Sequence, residues 1–325
     1  MKQNKRRLAL LGALMVMLVA VAFGQTVKVD PAISAYSPTS GVSGQLDSIG
    51  SDTLNNLMTL WSEGFRRVYP NVVVQVEGKG SSTAPPALAE GIAQLGPMSR
   101  PMKAEELEAF EARFGFQPTP IAVALDALAV YVHKDNPVEG LSLAQVDAIF
   151  SKTFNGGLSP ISTWGQVGLG GSWGNLPISL YGRNSASGTY GFFKTVALFK
   201  GDFNNRVKEQ PGSASVVLGI TEDRSGIGYS GIGYRTSGVA MVPLRRGESG
   251  PYYDPSYENV LSGNYPLGRL LLVYVAKAPG EPLEPVVEEF LRFVLSREGQ
   301  EVVVKDGYLP LPSAIVEQQL QLLEQ

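Results

Sequence analysis

Strands that alternate with helices along a 325-residue chain predict an α/β protein with mixed, mainly parallel sheets, divided into two lobes. Three observations lead there. The length suits two domains rather than one, and 44% hydrophobic residues can bury a sizeable core. The 37 glycines and 22 prolines imply many turns and few long helices. Two long β runs, Ala129-Val-Tyr-Val-His-Lys and Leu272-Val-Tyr-Val-Ala-Lys, share V-Y-V-x-K. They suggest a chain that crosses twice between lobes along neighbouring strands. One lobe would then comprise residues 25–125 and 268–325, the other residues 126–267, with a ligand cleft between them.

The first 24 residues stand apart. Lys2, Lys5, Arg6 and Arg7 precede an uncharged apolar run of 16 residues, Leu8 to Phe23. Ala22-Phe23-Gly24 offers a small-x-small cleavage site, so this reads as a secretory signal peptide with Gln25 as the mature N-terminus. The run is short for a membrane span, although an uncleaved anchor would look similar. The expected mature protein is exported, periplasmic or in the cell envelope, and soluble.

The elements then follow in order. QLDSIGSDT reads as a strand and loop. Leu54, Leu57, Leu60, Trp61, Phe65 and Val68 recur at helical spacing until Pro70. NVVVQVEGKG is a strand ending in glycine, TAPPALAEGIAQLG a helix with prolines in its first turn, and AEELEAFEARFG an acid-led helix closed by Gly115. PIAVALDALAVYVHKDNP is a long strand and SLAQVDAIFSKTF a helix. PISLYGRNSASGTYGFFKTVALF is strand, loop, helix, and SASVVLGITED a further helix. GIGYSGIGY and GVAMVPL are strands, and SYENVLSGNYP reads as a mobile surface stretch. GRLLLVYVAKAPG is the second long strand, before three C-terminal helices.

Composition excludes much. With no cysteine there are no disulfides, thiolate metal sites or Cys nucleophiles. One histidine, His133, makes a zinc site untenable and reads as an ordinary strand-end residue. No G-x-S-x-G elbow accompanies it. The net charge of −3 argues against nucleic acid as a partner. Gly226-Ile-Gly-Tyr-Ser-Gly231 matches G-x-G-x-x-G, yet β-like residues follow it where a dinucleotide site needs a helix. No cofactor and no metal are expected.

Three loops share one design: each follows a strand and opens a helix with Gly and Ser or Thr. They are Gly50-Ser51-Asp52-Thr53, Gly78 to Thr83 including Ser81, and Arg183 to Thr189 with Ser187 and Gly188. A fourth, Gly96-Pro-Met-Ser99-Arg100, is similar. Any one of them serves as a helix cap. Together, with arginines at short range, they describe an anion site of backbone N–H groups, hydroxyls and planar guanidinium forks.

The segments IGSDT, GKGSS, LGPMSR, ALDALAVYVHKDNPV, GRNSASGTYGFF, GIGYSGIGY and FLRFVLSREGQEVVVKDGYLPLP resemble the periplasmic phosphate-binding proteins of ABC-type phosphate importers. The most specific match is R-x-x-x-S-G-T, at Arg183, Ser187, Gly188 and Thr189. The resemblance implies the type II periplasmic-binding-protein fold, with two lobes and two crossings. It implies capture of inorganic phosphate for an ABC permease, without catalysis, by a chain expected to act as a monomer. It assigns Thr53 and its loop, Ser81, Arg183, Ser187, Gly188 and Thr189 to phosphate. Well-known members of that family carry a Gly-Ala-Ser-Asp segment whose Asp accepts the phosphate proton. Here Met98-Ser99-Arg100 stands in its place, so Ser99 and Arg100 would donate and the acceptor must lie elsewhere. Asp126, a carboxylate inside the apolar run ALDALAV, is the narrow choice over Asp52, which also suits a helix cap. Binding of another tetrahedral oxyanion, a secreted phosphatase or phosphoryl-transfer enzyme, and a phosphate sensor are the competing functions.

Overall fold

The computed structural model describes residues 27–324; the segment 1–24, expected to be a signal peptide, lies outside the described residues. Among the described residues no helix is long and apolar enough to cross a membrane. The architecture is α/β and two-lobed, as expected. Its spine is one mixed sheet in which Gly96–Met98, Gly268–Val275, Thr119–His133, Gly226–Gly231, Ser179–Arg183 and Lys208–Gln210 lie side by side in that order. Val239–Met241 pairs with the end of the long strand. A separate parallel pair, Gly44–Ile49 with Val72–Glu77, joins the first half through a bridge between Ser48 and Leu95.

The long strand Thr119–His133 changes partners midway. Residues Thr119 to Ala127 run antiparallel to Gly268–Val275, and Leu128 to Val132 run antiparallel to Gly226–Gly231. The Leu128 N–H donates to Leu267 O at 2.9 Å, so the chain passes between the halves twice, side by side. The two V-Y-V runs do not themselves pair, contrary to expectation. Val273 and Tyr274 face Ile121 and Pro120, while Val130 and Val132 face Tyr229 and Ile227. Both runs are buried strands of similar composition in different halves, which is why they look alike.

Each half has its own aromatic anchor. In the first, the amphipathic helix Asn55–Val68 buries Leu57, Trp61 and Phe65; Phe65 lies edge-on to Phe290 of helix Pro285–Leu295 at 5.3 Å, and Trp61 Nε1 donates to Gly299 O of helix Arg297–Lys305 at 2.8 Å. In the second, Phe193 stacks on Tyr229 at 3.9 Å and 10°. That stack fixes helix Gly188–Val196 over strand Gly226–Gly231. The Tyr229 hydroxyl then accepts the backbone N–H of Arg183 at 3.2 Å, so the core aligns the loop that follows.

Two further expectations differ, and the reading of the G-x-G-x-x-G stretch agrees with the structure. The second helix stops at Ala89, because Gly91 takes φ +70° and the N–H groups of Gln94 and Leu95 bond Asp47 O instead. SYENVLSGNYP is not an irregular surface stretch throughout. It holds a Ser256-capped helix, Tyr257–Leu261, and the buried Tyr265 donates its hydroxyl to Leu128 O at the crossing. Gly226–Gly231 is a buried strand followed by a single 3-10 turn, which leaves no helix to hold a nucleotide phosphate.

Asp306 ends helix Arg297–Lys305, close to Gly233 of the other half. Its Oδ2 meets no partner among the described residues, and burial pushes its carboxyl up to about 6. A carboxyl raised in the fold is neutral in both states below about pH 4; between about pH 4 and pH 6 only the unfolded chain ionises, so stability falls across that window and the full cost stands above it. Asp306→Asn is therefore expected to raise the ligand-free melting temperature at pH 7.5 by roughly 2 °C, given partial solvent screening. The gain should vanish at pH 4; calorimetry at the two pH values checks it.

Candidate functional site

The loops found by sequence meet where the two halves face each other. Gly50 O accepts from Gly80 N at 2.8 Å, and Pro97 O accepts from Ser51 N at 2.7 Å, so the first, second and fourth loops brace one another. The hydroxyls follow. Ser51 Oγ donates to Ser99 Oγ at 3.1 Å, and Ser81 Oγ accepts from Ser99 N at 3.1 Å. Across the cleft, Thr53 Oγ1 lies 2.9 Å from Thr189 Oγ1, and Ser82 N donates to Ala186 O at 3.1 Å. Ser51, Thr53, Ser81, Ser99, Ser187 and Thr189 are all buried.

Whether these hydroxyls are caps has a mixed answer. Ser187 is one: its Oγ accepts from Thr189 N and Tyr190 N. Ser51 and Gly80, which open the other two helical turns, make no side-chain cap bond. Two glycines are required by contact. A Cβ on Gly188 would overlap Ser81 Oγ and Ser99 Oγ. One on Gly80, already at φ +124°, would sit 2.6 Å from Ala186 O.

Four charges are drawn in as two pairs. Arg183 is 1% exposed. Its Nη1 lies 3.0 Å from Asp52 Oδ2 and donates to Ser213 Oγ at 2.7 Å, and its Nη2 donates to Pro211 O at 3.2 Å. Its Nε meets no acceptor among the described residues. Asp52 Oδ2 also accepts from Ser213 N and Ser213 Oγ, both at 2.8 Å. Asp126 is fully buried against Arg269: Oδ2 accepts from Nε at 2.9 Å and Nη2 at 2.7 Å, while Oδ1 accepts from Ile232 N at 3.0 Å. Each pair is close to neutral, so hydroxyls, backbone N–H dipoles and the unpaired Arg183 Nε are left to meet an anion.

Arg100 faces elsewhere. Its guanidinium forks onto Glu106 with two 2.7 Å bonds and also donates to Pro101 O and Ser82 Oγ. Burial alone would raise the Glu106 carboxyl, but the hydrogen bonds from Arg100 and the Lys103 N–H outweigh it and hold it low. His133 Nδ1 accepts from Asp135 N at the strand end. Among the described residues no group of three or more His, Asp or Glu side chains is gathered as a metal site.

Two members of the cluster were not anticipated, Ser213 and Arg269. Ser213 in PGSASVV looks like any helix-opening serine. Arg269 had a readable signal: it begins an apolar strand, as Asp126 interrupts one, and the two are Cα partners in the ladder.

Comparison with known proteins fits this geometry. Residues 35–298 match the model of a PBP superfamily domain. The phosphate-binding protein PstS of Pseudomonas aeruginosa is 56% identical over 296 residues, covering 91% of this chain and 92% of that protein. The phosphate-bound crystal structure of a phosphate ABC transporter substrate-binding protein from Clostridium perfringens superposes with a TM-score of 0.70 at 26% identity. It covers 82% of this chain and 100% of that one. An ABC-type phosphate transport receptor from Vibrio cholerae, 22% identical, shares the fold with a TM-score of 0.64 over 82% of this chain and all of its own. The chain belongs to the PBP superfamily and, within it, to the phosphate-binding protein family.

Proposed function

We propose that this chain captures inorganic phosphate outside the inner membrane and delivers it to an ABC permease, as an exported, monomeric binding protein without turnover. The observation that carries this reading is the convergence of four donor-rich loops on one cleft, with the buried Arg183 keeping an unpaired Nε there. Phosphate would be held by Ser51, Thr53, Ser81, Ser99, Ser187, Gly188, Thr189 and Arg183. The lobes would turn as bodies comprising residues 25–125 with 268–325, and 126–267, about the paired crossings. Arg100 supports the loop rather than the anion, because Glu106 takes both arms of its fork.

The proton acceptor is better assigned to Asp52 than to Asp126. Both Asp126 oxygens are occupied by donors. Asp52 engages only Oδ2, with Ser213 and Arg183, among the described residues, which leaves Oδ1 as an acceptor without a donor. An acceptor at that place gains a bond from protonated phosphate and repels a fully deprotonated sulfate.

Titration calorimetry should find one phosphate site per chain, with no phosphate released from phosphomonoesters. Arg183→Ala should cost at least about 2 kcal/mol, roughly thirtyfold in affinity, since a buried charge-assisted contact is lost. An unchanged affinity would remove Arg183 from the site, and metal-dependent hydrolysis at this cleft would favour the enzyme.

Selectivity tests the acceptor. Asp52→Asn is expected to shrink the phosphate-over-sulfate preference by about tenfold or more, because an amide can donate to either anion. Competition measured by equilibrium dialysis checks this; a full preference in Asp52→Asn would return the role to another group.

A further inference from the structure

Arg269 touches three separate parts of the cleft at once. Its Nε and Nη2 hold Asp126 Oδ2, its Nη1 donates to Ser99 O at 2.8 Å, and its Nη2 donates to Thr189 Oγ1 at 3.0 Å. The guanidinium lies 5.3 Å from the Phe192 ring centroid and the residue is 7% exposed. Ser99 and Asp126 belong to the first half of the sheet and the crossing; Thr189 opens the helix of the second half. The fork therefore spans the cleft at its hinge end.

Hydrogen-bond polarity gives this contact a consequence. A guanidinium can only donate. Thr189 Oγ1 must therefore accept from Arg269, which leaves its single proton to donate. Its partner Thr53 Oγ1 is 2.9 Å away, and only one proton is used between the two hydroxyls. The other remains for an anion, whichever of the two carries it. A chain that starts at a cation polarises each hydroxyl after it and strengthens the last donor.

We infer that Arg269 is a positioning residue for the oxyanion: held by Asp126, it orients the Thr189–Thr53 hydroxyl pair as a donor and ties the two lobes in their closed arrangement. This rests on the phosphate reading of the site. Arg269 does not need to touch phosphate, and Asp126 acts as its holder rather than as a proton acceptor. Phosphate release, more than capture, should depend on the pair, because the Thr189 contact requires the halves to be together.

The test is a double-mutant cycle read by phosphate titration. Arg269→Gln with Asp126→Asn removes both charges together and leaves no unpaired buried ion. It is expected to weaken phosphate binding about tenfold or more, mainly through faster release. In a Thr189→Val background the same pair of changes should cost less than about twofold, since the hydroxyl it orients is gone. A purely structural role would lower the ligand-free melting temperature and give the same loss in both backgrounds; equal losses overturn the inference. If the paired variant does not fold, Arg269→Lys enters the same cycle with the same two outcomes, because an ammonium can hold Asp126 without reaching both Ser99 O and Thr189. A wild-type chain that takes up no phosphate overturns the phosphate reading and this inference together. A wild type that binds while the coupling is nil overturns this inference alone.

Discussion

Seven hydroxyl side chains and two guanidinium groups are withdrawn from water where the halves of this chain meet, and the buried polar groups there need partners. The rest of the architecture serves that constraint. The long strand changes partners at Ala127 and Leu128 so that the loops of both halves open towards each other. Glycines at 80 and 188 remove the side chains that would hold those loops apart. Asp52 and Asp126 enter the cleft because two arginines could not be buried there without counter-charges.

The cleft is consequently polar without carrying net charge from its two ion pairs. Attraction for an anion comes from the direction of hydrogen bonds rather than from surplus positive charge. Such a site discriminates by unsatisfied groups: a ligand of the wrong shape or protonation leaves a buried donor or acceptor alone. The aromatic stack of Phe193 on Tyr229 contributes indirectly, by fixing both the helix that presents Thr189 and the backbone of Arg183.

Much of this was legible in the sequence. Alternating elements announced the α/β class, and the Gly-Ser/Thr loops announced the cleft; the V-Y-V likeness picked out the two strands that cross but not the place, Ala127–Leu128 beside Leu267–Gly268, where they do so. What stayed hidden was pairing. Periodicity shows that Val130 and Val273 are buried, but not that they face different strands. Loop composition shows that Arg100 is near the site, but Glu106, six residues on, captures its fork. Asp126 was conspicuous as a carboxylate in an apolar run. Its partner Arg269 lies 143 residues away and becomes visible only through strand register. Resemblance named the R-x-x-x-S-G-T residues, whereas Ser213 had no signal beyond that of a cap.

The central claim is that the four loops form one phosphate site closed between the lobes. A crystal structure of the protein with phosphate tests it most directly. The account predicts one phosphate between the halves, within hydrogen-bond distance of Arg183, of Ser81 and of the 187–189 turn, with Asp52 Oδ1 near one of its oxygens and Arg269 still on Asp126. Phosphate bound outside this cleft, or bound inside it with Arg183 turned away, would contradict the account.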